Sequence, residues 1–438
     1  MSYWAPPDPQ RWTCACGADR LAGAFCPYCG RRNPSGELPP LPASVEAWLP
    51  PVAPPRVGLN AATVTLSALI ALLLVVGGSV IAVRDGELTG ATRQAFEQAV
   101  ERGKDFVARY RGRPFEKDVE VRLLGDDDFT RLLFSEEDDD PAEDETDYEA
   151  TLQALRLADP DEDLDEEEES LLSDTVVGFY DDELEMLVVR GGKVTPYVEL
   201  TLVHELTHAW QDQHYDLSEL WDGTETDDEA LALRSLIEGD AQRTENAWRE
   251  EQPASVRDEI ERIEEGPLGD GGDDEPSRTQ QSLNLLYGFP YEAGESFVDD
   301  LAEDGGNAAL DEAFEDPPVS TAQVLDPDRY RAGNGPDAVT GPVVKGATVD
   351  RGTLGQVGLL VFLAGDEDLD REAFEASDGW DGDEYVTWRD GRKLCTTVSL
   401  RMDDRAERDE LAAALRSRGV TSENVRDAAL TFSSCVEE

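Results

Sequence analysis

The sequence predicts an α+β protein whose folded domain is preceded by a small cysteine-rich unit and one membrane-spanning helix. Residues 57–83 form an apolar stretch without a single charge and separate residues 1–56 from the rest of the chain. Beyond this stretch, segments with the two-residue period of strands alternate with segments with the 3.6-residue period of helices. The three histidines of the 438-residue chain all fall within one eleven-residue stretch, most of which is predicted as a helix. That helix is therefore the first place to look for a functional site.

The composition is strongly acidic. The formal net charge is −59, from 97 acidic and 38 basic residues, and the sequence pI is about 4.1. This charge argues against nucleic acid as the main ligand, because phosphates would be repelled. Only five of the basic residues are lysines. An acidic, lysine-poor surface is typical of proteins that work in molar salt, where the Debye length falls to about 3 Å. We therefore expect a halophilic source.

The first unit, residues 1–32, contains two closely spaced cysteine pairs. The pairs are Cys14-Ala-Cys16 and Cys26-Pro-Tyr-Cys29. This spacing is typical of a tetrahedral Cys₄ zinc ribbon, in which the zinc is structural because no coordination position stays open. A pair of disulfides is the competing interpretation.

A proline-rich linker, residues 33–56, leads to the apolar stretch, which exceeds the roughly 20 residues that a bilayer core requires. We expect a single-pass anchor at 57–83. Arginines on both sides leave the positive-inside rule almost undecided. A reducing cytoplasm preserves zinc thiolates, and Cys395 and Cys435 could form a disulfide outside. We therefore place the ribbon in the cytoplasm, where a protein partner could bind it, and the domain 91–438 on the cell surface.

The domain begins with a predicted helix at 91–112 and a predicted strand at Val119–Leu124. Acidic insertions within residues 135–170, on either side of a short helical piece at 148–157, are interpreted as solvated loops without a function. Next, the strands 175–180 and 184–190 predict a β-hairpin. Such a hairpin beside an active-site helix is a candidate to hold an extended peptide by main-chain pairing.

The histidine-containing helix begins with Thr195 as N-cap and Pro196 at the first helical position. His204 and His208 lie four residues apart and therefore share a face of the helix. They belong to the zinc motif H-E-x-x-H, in which Glu205 lies beside the ion and can accept a proton from water. A solvated helix with two surface histidines is the competing interpretation.

Catalytic zinc usually takes three protein ligands, and two residues compete for the third place. His214 has the spacing of the motif H-E-x-x-H-x-x-G-x-x-H, but Gln211 stands where that motif has glycine. If the helix continues, His214 lies about 240° around the axis from His208 and cannot reach the ion. Glu238, in a second predicted helix at 227–248, is the favoured alternative. Its neighbour Gly239 would let this helix approach the H-E-x-x-H helix closely.

The stretch Leu202–His214, followed by Ile237–Ala241, resembles a family of gluzincin-like metallopeptidases that includes membrane-anchored surface proteins of haloarchaea. The resemblance covers about residues 95–430, and further matching segments are Val177–Asp181, Phe289–Gly294 with Phe297–Val298, Pro318–Tyr330 and Gly379–Tyr385. It implies a zincin-like fold, in which the active-site helix packs on a small mixed sheet and the second half is helical. It also implies His204, His208 and Glu238 as ligands of a catalytic zinc and Glu205 as the base.

The chain departs from the family pattern at two positions. Gluzincins often carry an acidic residue four positions after the glutamate ligand, where this chain has Gln242. Asp240 or Asp212 could take over that role. A histidine often occupies the position of Asp326.

The sequence therefore predicts a membrane-anchored zinc metallopeptidase that hydrolyses a peptide or protein substrate, with Glu205 as general base. Stabilising the oxyanion requires a further donor, and the candidates are Tyr291, Tyr287, Tyr330 and Arg243. The alternative is a non-catalytic surface protein with a structural or binding zinc site. A sensor, in which the ribbon reports events at the outer domain, is a third possibility.

Overall fold

The structure is a computed structural model that describes residues 90–133, 148–168, 176–190, 194–264, 276–365 and 371–437, with the exception of positions 166 and 183. The fold is a mixed α+β fold, as the sequence predicts. The predicted zinc ribbon (1–32), linker (33–56) and membrane span (57–83) lie outside the described residues. None of the described helices is long and apolar enough to cross a bilayer.

The helices are α1 (Gly90–Arg111), α2 (Asp126–Leu133), α3 (Tyr148–Leu155), α4 (Pro196–Tyr215), α5 (Leu217–Asp222), α6 (Asp227–Glu251), α7 (Ala254–Glu264), α8 (Arg278–Gly305), α9 (Asn307–Glu315), α10 (Thr321–Leu325), α11 (Pro327–Arg331), α12 (Gly355–Ala364), α13 (Arg371–Ser377) and α14 (Arg405–Ser417). The strands are β1 (Glu120–Leu124), β2 (Gly178–Asp181), β3 (Met186–Arg190), β4 (Ala347–Gly352), β5 (Trp380–Asp390), β6 (Lys393–Met402), β7 (Ser422–Arg426) and β8 (Ala429–Glu437).

The first sheet is small and mixed, with the order β1-β3-β2. β1 runs parallel to β3, and β2 pairs with β3 in antiparallel register, from Gly178 opposite Val189 to Asp181 opposite Met186. The predicted hairpin is therefore confirmed, and β2 is an edge strand. α4 packs on this sheet through Leu202, Val203 and Leu206, which share one hydrophobic cluster with side chains of β3.

Three of the long helices, α4, α6 and α8, begin at capped residues. The Thr195 side chain accepts a hydrogen bond of 3.2 Å from the backbone N of Val198, and Pro196 follows at the first position, which confirms the predicted start of α4. Thr226 caps α6 in the same way. α8 begins with a capping box between Ser277 and Gln280. These caps accept hydrogen bonds from backbone N–H groups that have no partner within the first helical turn. The local sequence therefore determines where each of these helices starts.

α6 and α8 cross in close contact at a pair of glycines. A Cβ atom added to Gly239 would lie 2.2 Å from the backbone of Gly294, and one added to Gly294 would lie 2.1 Å from the carbonyl oxygen of Ser235. The expectation that Gly239 lets α6 approach the histidine-containing helix is therefore wrong. The two helices that need the small residue are α6 and α8, and Gly294 supplies the matching position.

The second sheet is antiparallel, with the order β4-β5-β6-β8-β7. Its inner face forms a hydrophobic core with α12 and α14 that includes Trp380, Val398 and Phe432. The disulfide Cys395–Cys435 joins β6 and β8 at directly opposed positions.

α3 and the turn after it also belong to this core. Leu152 and Leu155 of α3, and Leu157 and Leu164 beyond it, are buried there. The expectation that the acidic insertions are solvated loops is therefore wrong for the part around Leu164. In the sequence, Leu164 is surrounded by acidic residues and does not stand out as a core position. In the fold, its buried side chain fixes the segment against the hydrophobic core.

Candidate metal centre

His204 and His208 lie next to each other on the buried face of α4. Their ring centroids are 4.7 Å apart, and neither side chain is appreciably exposed. Glu238 projects toward both of them from α6. Its Oε2 atom lies 3.1 Å from Nε2 of His204 and 3.4 Å from Nε2 of His208. These three residues form a group that could hold a metal ion, since one ligand atom from each lies within 4.8 Å of the others.

The second nitrogen of each imidazole faces a hydrogen-bond acceptor. Nδ1 of His204 lies 3.0 Å from a carboxylate oxygen of the buried Glu245, and Nδ1 of His208 lies 2.9 Å from Oε1 of Gln211. In a neutral imidazole, Nδ1 then carries the hydrogen and Nε2 presents its lone pair. When both imidazoles are neutral, two nitrogen lone pairs and a carboxylate oxygen of Glu238 converge on one point, an arrangement that fits a cation.

The Gln211 amide is itself fixed in orientation. Its Nε2 donates to the carbonyl oxygen of Ile237 at 3.0 Å and to Oδ2 of Asp240 at 2.9 Å, so Oε1 must face His208. Asp240 in turn pairs with the guanidinium of Arg111, and both side chains are completely buried. A continuous chain of hydrogen bonds thus connects His208 with α1.

Arg111 is held from several sides. Its guanidinium also pairs with Asp311 at 3.1 Å and lies over the ring of Trp210, 4.6 Å from the centroid. A buried cation is costly unless it is paired, and here two aspartates and an aromatic face supply the compensation. The candidate metal centre therefore rests on a buried polar network that joins α1, α4, α6 and α9.

The pKa values of the cluster show how strongly its groups interact. Burial lowers the pKa of His208, but the Glu238 carboxylate outweighs burial, and the pKa is raised to about 9. Burial raises the pKa of Glu238, but the two imidazoles outweigh burial and hold it well below the usual range. The carboxylate of Glu238 is therefore ionised and attracts positive charge to this point.

Glu205, the second residue of the motif, is buried beside the edge strand β2. Its Oε2 accepts a hydrogen bond of 3.1 Å from the backbone N–H of Tyr180. Gly178 of the same strand also packs closely on this part of α4, since a Cβ added there would lie 3.3 Å from Thr201 and 3.6 Å from Glu205. The hairpin therefore lies directly against the face of α4 that carries Glu205, as the sequence analysis expects.

His214 is not part of the cluster. Its ring stacks on Trp210 with centroids 4.2 Å apart, and its Nδ1 lies 2.7 Å from the Trp210 carbonyl oxygen. α4 continues without a break to Tyr215, so His214 turns away from His208 as helix geometry predicts. His214 therefore packs on Trp210, on a different face of the helix from His208.

Of the four candidate oxyanion donors, Tyr291 is the one that contacts the cluster. Its hydroxyl donates to Oε1 of Glu238 at 3.1 Å. Tyr330 instead donates to the Asp316 carbonyl, and Arg243 pairs with Asp299. Tyr287 is buried in the core of the second sheet.

The supporting acidic residue that contacts a histidine of the site is neither Asp240 nor Asp212. It is Glu245, seven residues after Glu238, which places it two turns further along the same face of α6. Asp240 contributes indirectly, through Gln211. Asp212 does not contribute to the histidines, because it accepts hydrogen bonds from the Tyr180 hydroxyl and the backbone N of Leu217. A search for acidic residues on the Glu238 face of α6 would have found Glu245.

One segment of the chain matches a known protein family. Residues 342–433 match the family described as "Domain of unknown function (DUF8575)". This segment begins just before β4 and ends within β8, so it comprises most of the second sheet and none of the metal-centre residues. Neither the curated proteins nor the solved structures gave a match.

Proposed function

We propose that the chain is a membrane-anchored zinc metallopeptidase that hydrolyses peptide bonds at the cell surface. The observation that carries the proposal is the convergence of His204, His208 and Glu238 beside a buried Glu205. Two imidazoles and one carboxylate are the protein ligands of many catalytic zinc sites. A zincin-like fold agrees with the arrangement of α4 on a small mixed sheet.

A bound zinc ion would act as a Lewis acid and bring the pKa of a coordinated water close to neutrality. Glu205 would accept the proton of the attacking water and deliver it to the leaving amine. The N–H of Tyr180 holds one oxygen of this carboxylate in place. The Tyr291 hydroxyl, beside Glu238, is the nearest of the proposed donors for the developing oxyanion.

The edge strand β2 would align the substrate. Arg190 N donates to Val177 O across the hairpin, so by antiparallel alternation the backbone groups of Gly178 and Tyr180 face away from β3. Their carbonyl oxygens lie on the open side of the strand, next to Glu205, where an extended peptide could pair with them.

The N-terminal parts complete the proposal. Cys14, Cys16, Cys26 and Cys29 would hold a structural zinc in a cytoplasmic ribbon, and residues 57–83 would anchor the chain. A disulfide between Cys395 and Cys435 agrees with an extracellular location of the domain.

The decisive experiment is the substitution Glu205→Gln, assayed for cleavage of casein in high salt and for zinc content by elemental analysis. We expect zinc to be retained and hydrolysis to fall by about 10²-fold or more, because only the proton acceptor is lost. Glu199→Gln is the matched control, since Glu199 lies in the same helix and pairs with Arg102 away from the site.

The outcomes separate the two functions that the sequence leaves open. Undiminished cleavage by Glu205→Gln would remove Glu205 as the base. A wild-type chain that binds zinc but cleaves no substrate would favour the non-catalytic surface protein.

A further inference from the structure

A wide groove lies on the second sheet, in a part of the chain that the proposed function does not use. Its volume is about 1310 Å³, and it is lined by strands β5 to β8, by the loop 341–345, by the ends of α3, α12 and α14, and by the starts of α8 and α13. No residue of the metal centre lines it. Small-molecule pockets usually measure about 300–1,000 Å³, so this groove has the size for a segment of a polymer.

The charge of the groove is opposite to that of the chain. Its basic lining residues are Arg156, Arg278, Lys345, Lys393 and Arg418. The acidic ones are Glu372 and Glu423. Acidic residues outnumber basic ones by 97 to 38 over the whole sequence, whereas basic residues predominate here. Two of the five lysines of the chain line this one groove.

Four of these cations have no carboxylate partner within 4.0 Å among the described residues: Arg156, Lys345, Lys393 and Arg418. Elsewhere on the surface such pairs are common; Arg331, for example, contacts Asp300, Asp304 and Asp328.

Two of the cations are nevertheless held in place. Arg156 donates to the carbonyl oxygen of Cys435 at 3.4 Å, and Arg418 donates to the carbonyl oxygen of Ala364. A carbonyl orients a guanidinium without neutralising it, and the remaining N–H groups can meet a ligand.

The rest of the lining is partly apolar and partly rich in hydroxyl groups. Val343, in the loop 341–345, is fully exposed, whereas Phe362 and Phe432 are buried in the hydrophobic core beneath the groove. On the sheet, Thr397 and Ser433 form a hydroxyl pair at 2.9 Å, and Trp388 donates to Thr397. A ligand for this groove must therefore combine negative charge with apolar surface.

We propose that this groove binds an acidic polypeptide segment. Carboxylates of such a segment would meet the lysines and arginines, and its apolar side chains would lie against the exposed Val343. A polynucleotide fits less well, because its affinity comes mainly from phosphate neutralisation and would not use the apolar surface at Val343. This binding requires no metal and does not depend on the proposed catalytic role.

The test uses fluorescence anisotropy on the full chain in detergent micelles at one fixed KCl concentration. The probe is a labelled twelve-residue peptide in which glutamate alternates with leucine or alanine, and mass spectrometry verifies that it stays intact. A peptide with glutamine for every glutamate and a twelve-nucleotide oligothymidylate are the comparison probes. The variant is Lys345→Glu/Lys393→Glu, and the control is Arg131→Glu, which changes an exposed cation of α2.

We expect the acidic peptide to bind at least tenfold more tightly than the glutamine peptide. The double variant should lose at least tenfold in affinity, whereas the control should stay within twofold of the wild type. Lys345→Gln/Lys393→Gln should also lower the affinity for the acidic peptide. Equal melting temperatures of the wild type and the variants would exclude unfolding as the cause. The proposal is overturned if the acidic peptide does not bind, if both peptides bind equally, if the double variant binds like the control, or if oligothymidylate binds more tightly.

Discussion

Charged side chains are buried in the helical region around His204, whereas they are exposed in the groove of the second sheet. In the helical region, Arg111, Asp240 and Glu245 are buried, and each lies within hydrogen-bond distance of a fixed partner. In the groove of the second sheet, Lys345 and Lys393 are exposed to solvent.

The physical reason is the cost of desolvation. Removing a charge from water costs several kcal/mol unless partners compensate for it, whereas an exposed lysine keeps its hydration at almost no cost. Buried charges can therefore hold a site rigid, and exposed ones remain available to a ligand. The buried region therefore suits the candidate metal centre, and the exposed cations suit the binding proposed for the groove.

The strongest test of the buried centre is Glu238→Ala. We expect the dissociation constant for zinc to rise at least about 10³-fold, more than the roughly 10–100-fold that is usual when only a supporting group is lost. Competition with a chromophoric chelator would measure it. His214→Ala is the control and should bind zinc like the wild type, since this ring packs on Trp210. Equal losses in both variants would contradict the proposed ligand set.

A second test addresses the rigidity of the helical region. Gly239→Ala should lower the free energy of unfolding by about 3 kcal/mol or more, because the added methyl group meets the backbone of Gly294, which cannot rotate away. Urea unfolding followed by tryptophan fluorescence would measure the change. Gly125→Ala is the matched control, since a Cβ there has no neighbour within 4 Å. Similar midpoints for the two variants would show that the α6–α8 contact is not rigid.

The smallest expected effect concerns the junction between the two regions. Asp228 of α6 accepts hydrogen bonds from Thr321, and burial together with the nearby Asp383 carboxylate raises its pKa to about 7. A raised pKa means that the folded state holds the proton more tightly than the unfolded state. Its stabilising contribution is therefore complete at pH values below the ordinary value of 3.8 and is lost as the pH rises through about 7.

Asp228→Asn should remove this contribution. Between about pH 5 and about pH 8, the wild type should lose about 2 kcal/mol more unfolding free energy than the variant. Denaturant unfolding at both pH values in the same salt would measure the difference. Parallel pH profiles for the two proteins would show that Asp228 does not titrate in this range.

The local part of the metal centre could be predicted well from the sequence. The spacing of His204 and His208, the cap at Thr195 and the hairpin around residues 178–190 are short-range patterns that backbone geometry translates directly into structure. The contact between Gln211 and His208 could also have been predicted, since Gln211 lies three residues after His208 on the same face of the helix. Its place in the motif H-E-x-x-H-x-x-G-x-x-H, where it replaces a glycine, does not indicate this contact.

The long-range part could not be predicted in the same way. Arg111 and Asp240 are separated by 129 positions, and nothing in either segment marks them as partners. Gly239 indicated a close helix contact, but its sequence context did not say which helix would approach. Helical periodicity determines which face a residue occupies, and packing alone determines what that face meets.

By itself, the sequence determined a helix with two histidines on one face, a hairpin, an acidic surface and an α+β domain, because all of these follow from local spacing and composition. Only the tertiary structure brought Glu245 to His204 and gathered Arg156, Arg278, Lys345, Lys393 and Arg418 around one groove. These groups are distant in the chain, and they meet because burying the apolar faces of α4, α6 and the second sheet leaves few ways to arrange the elements that carry them.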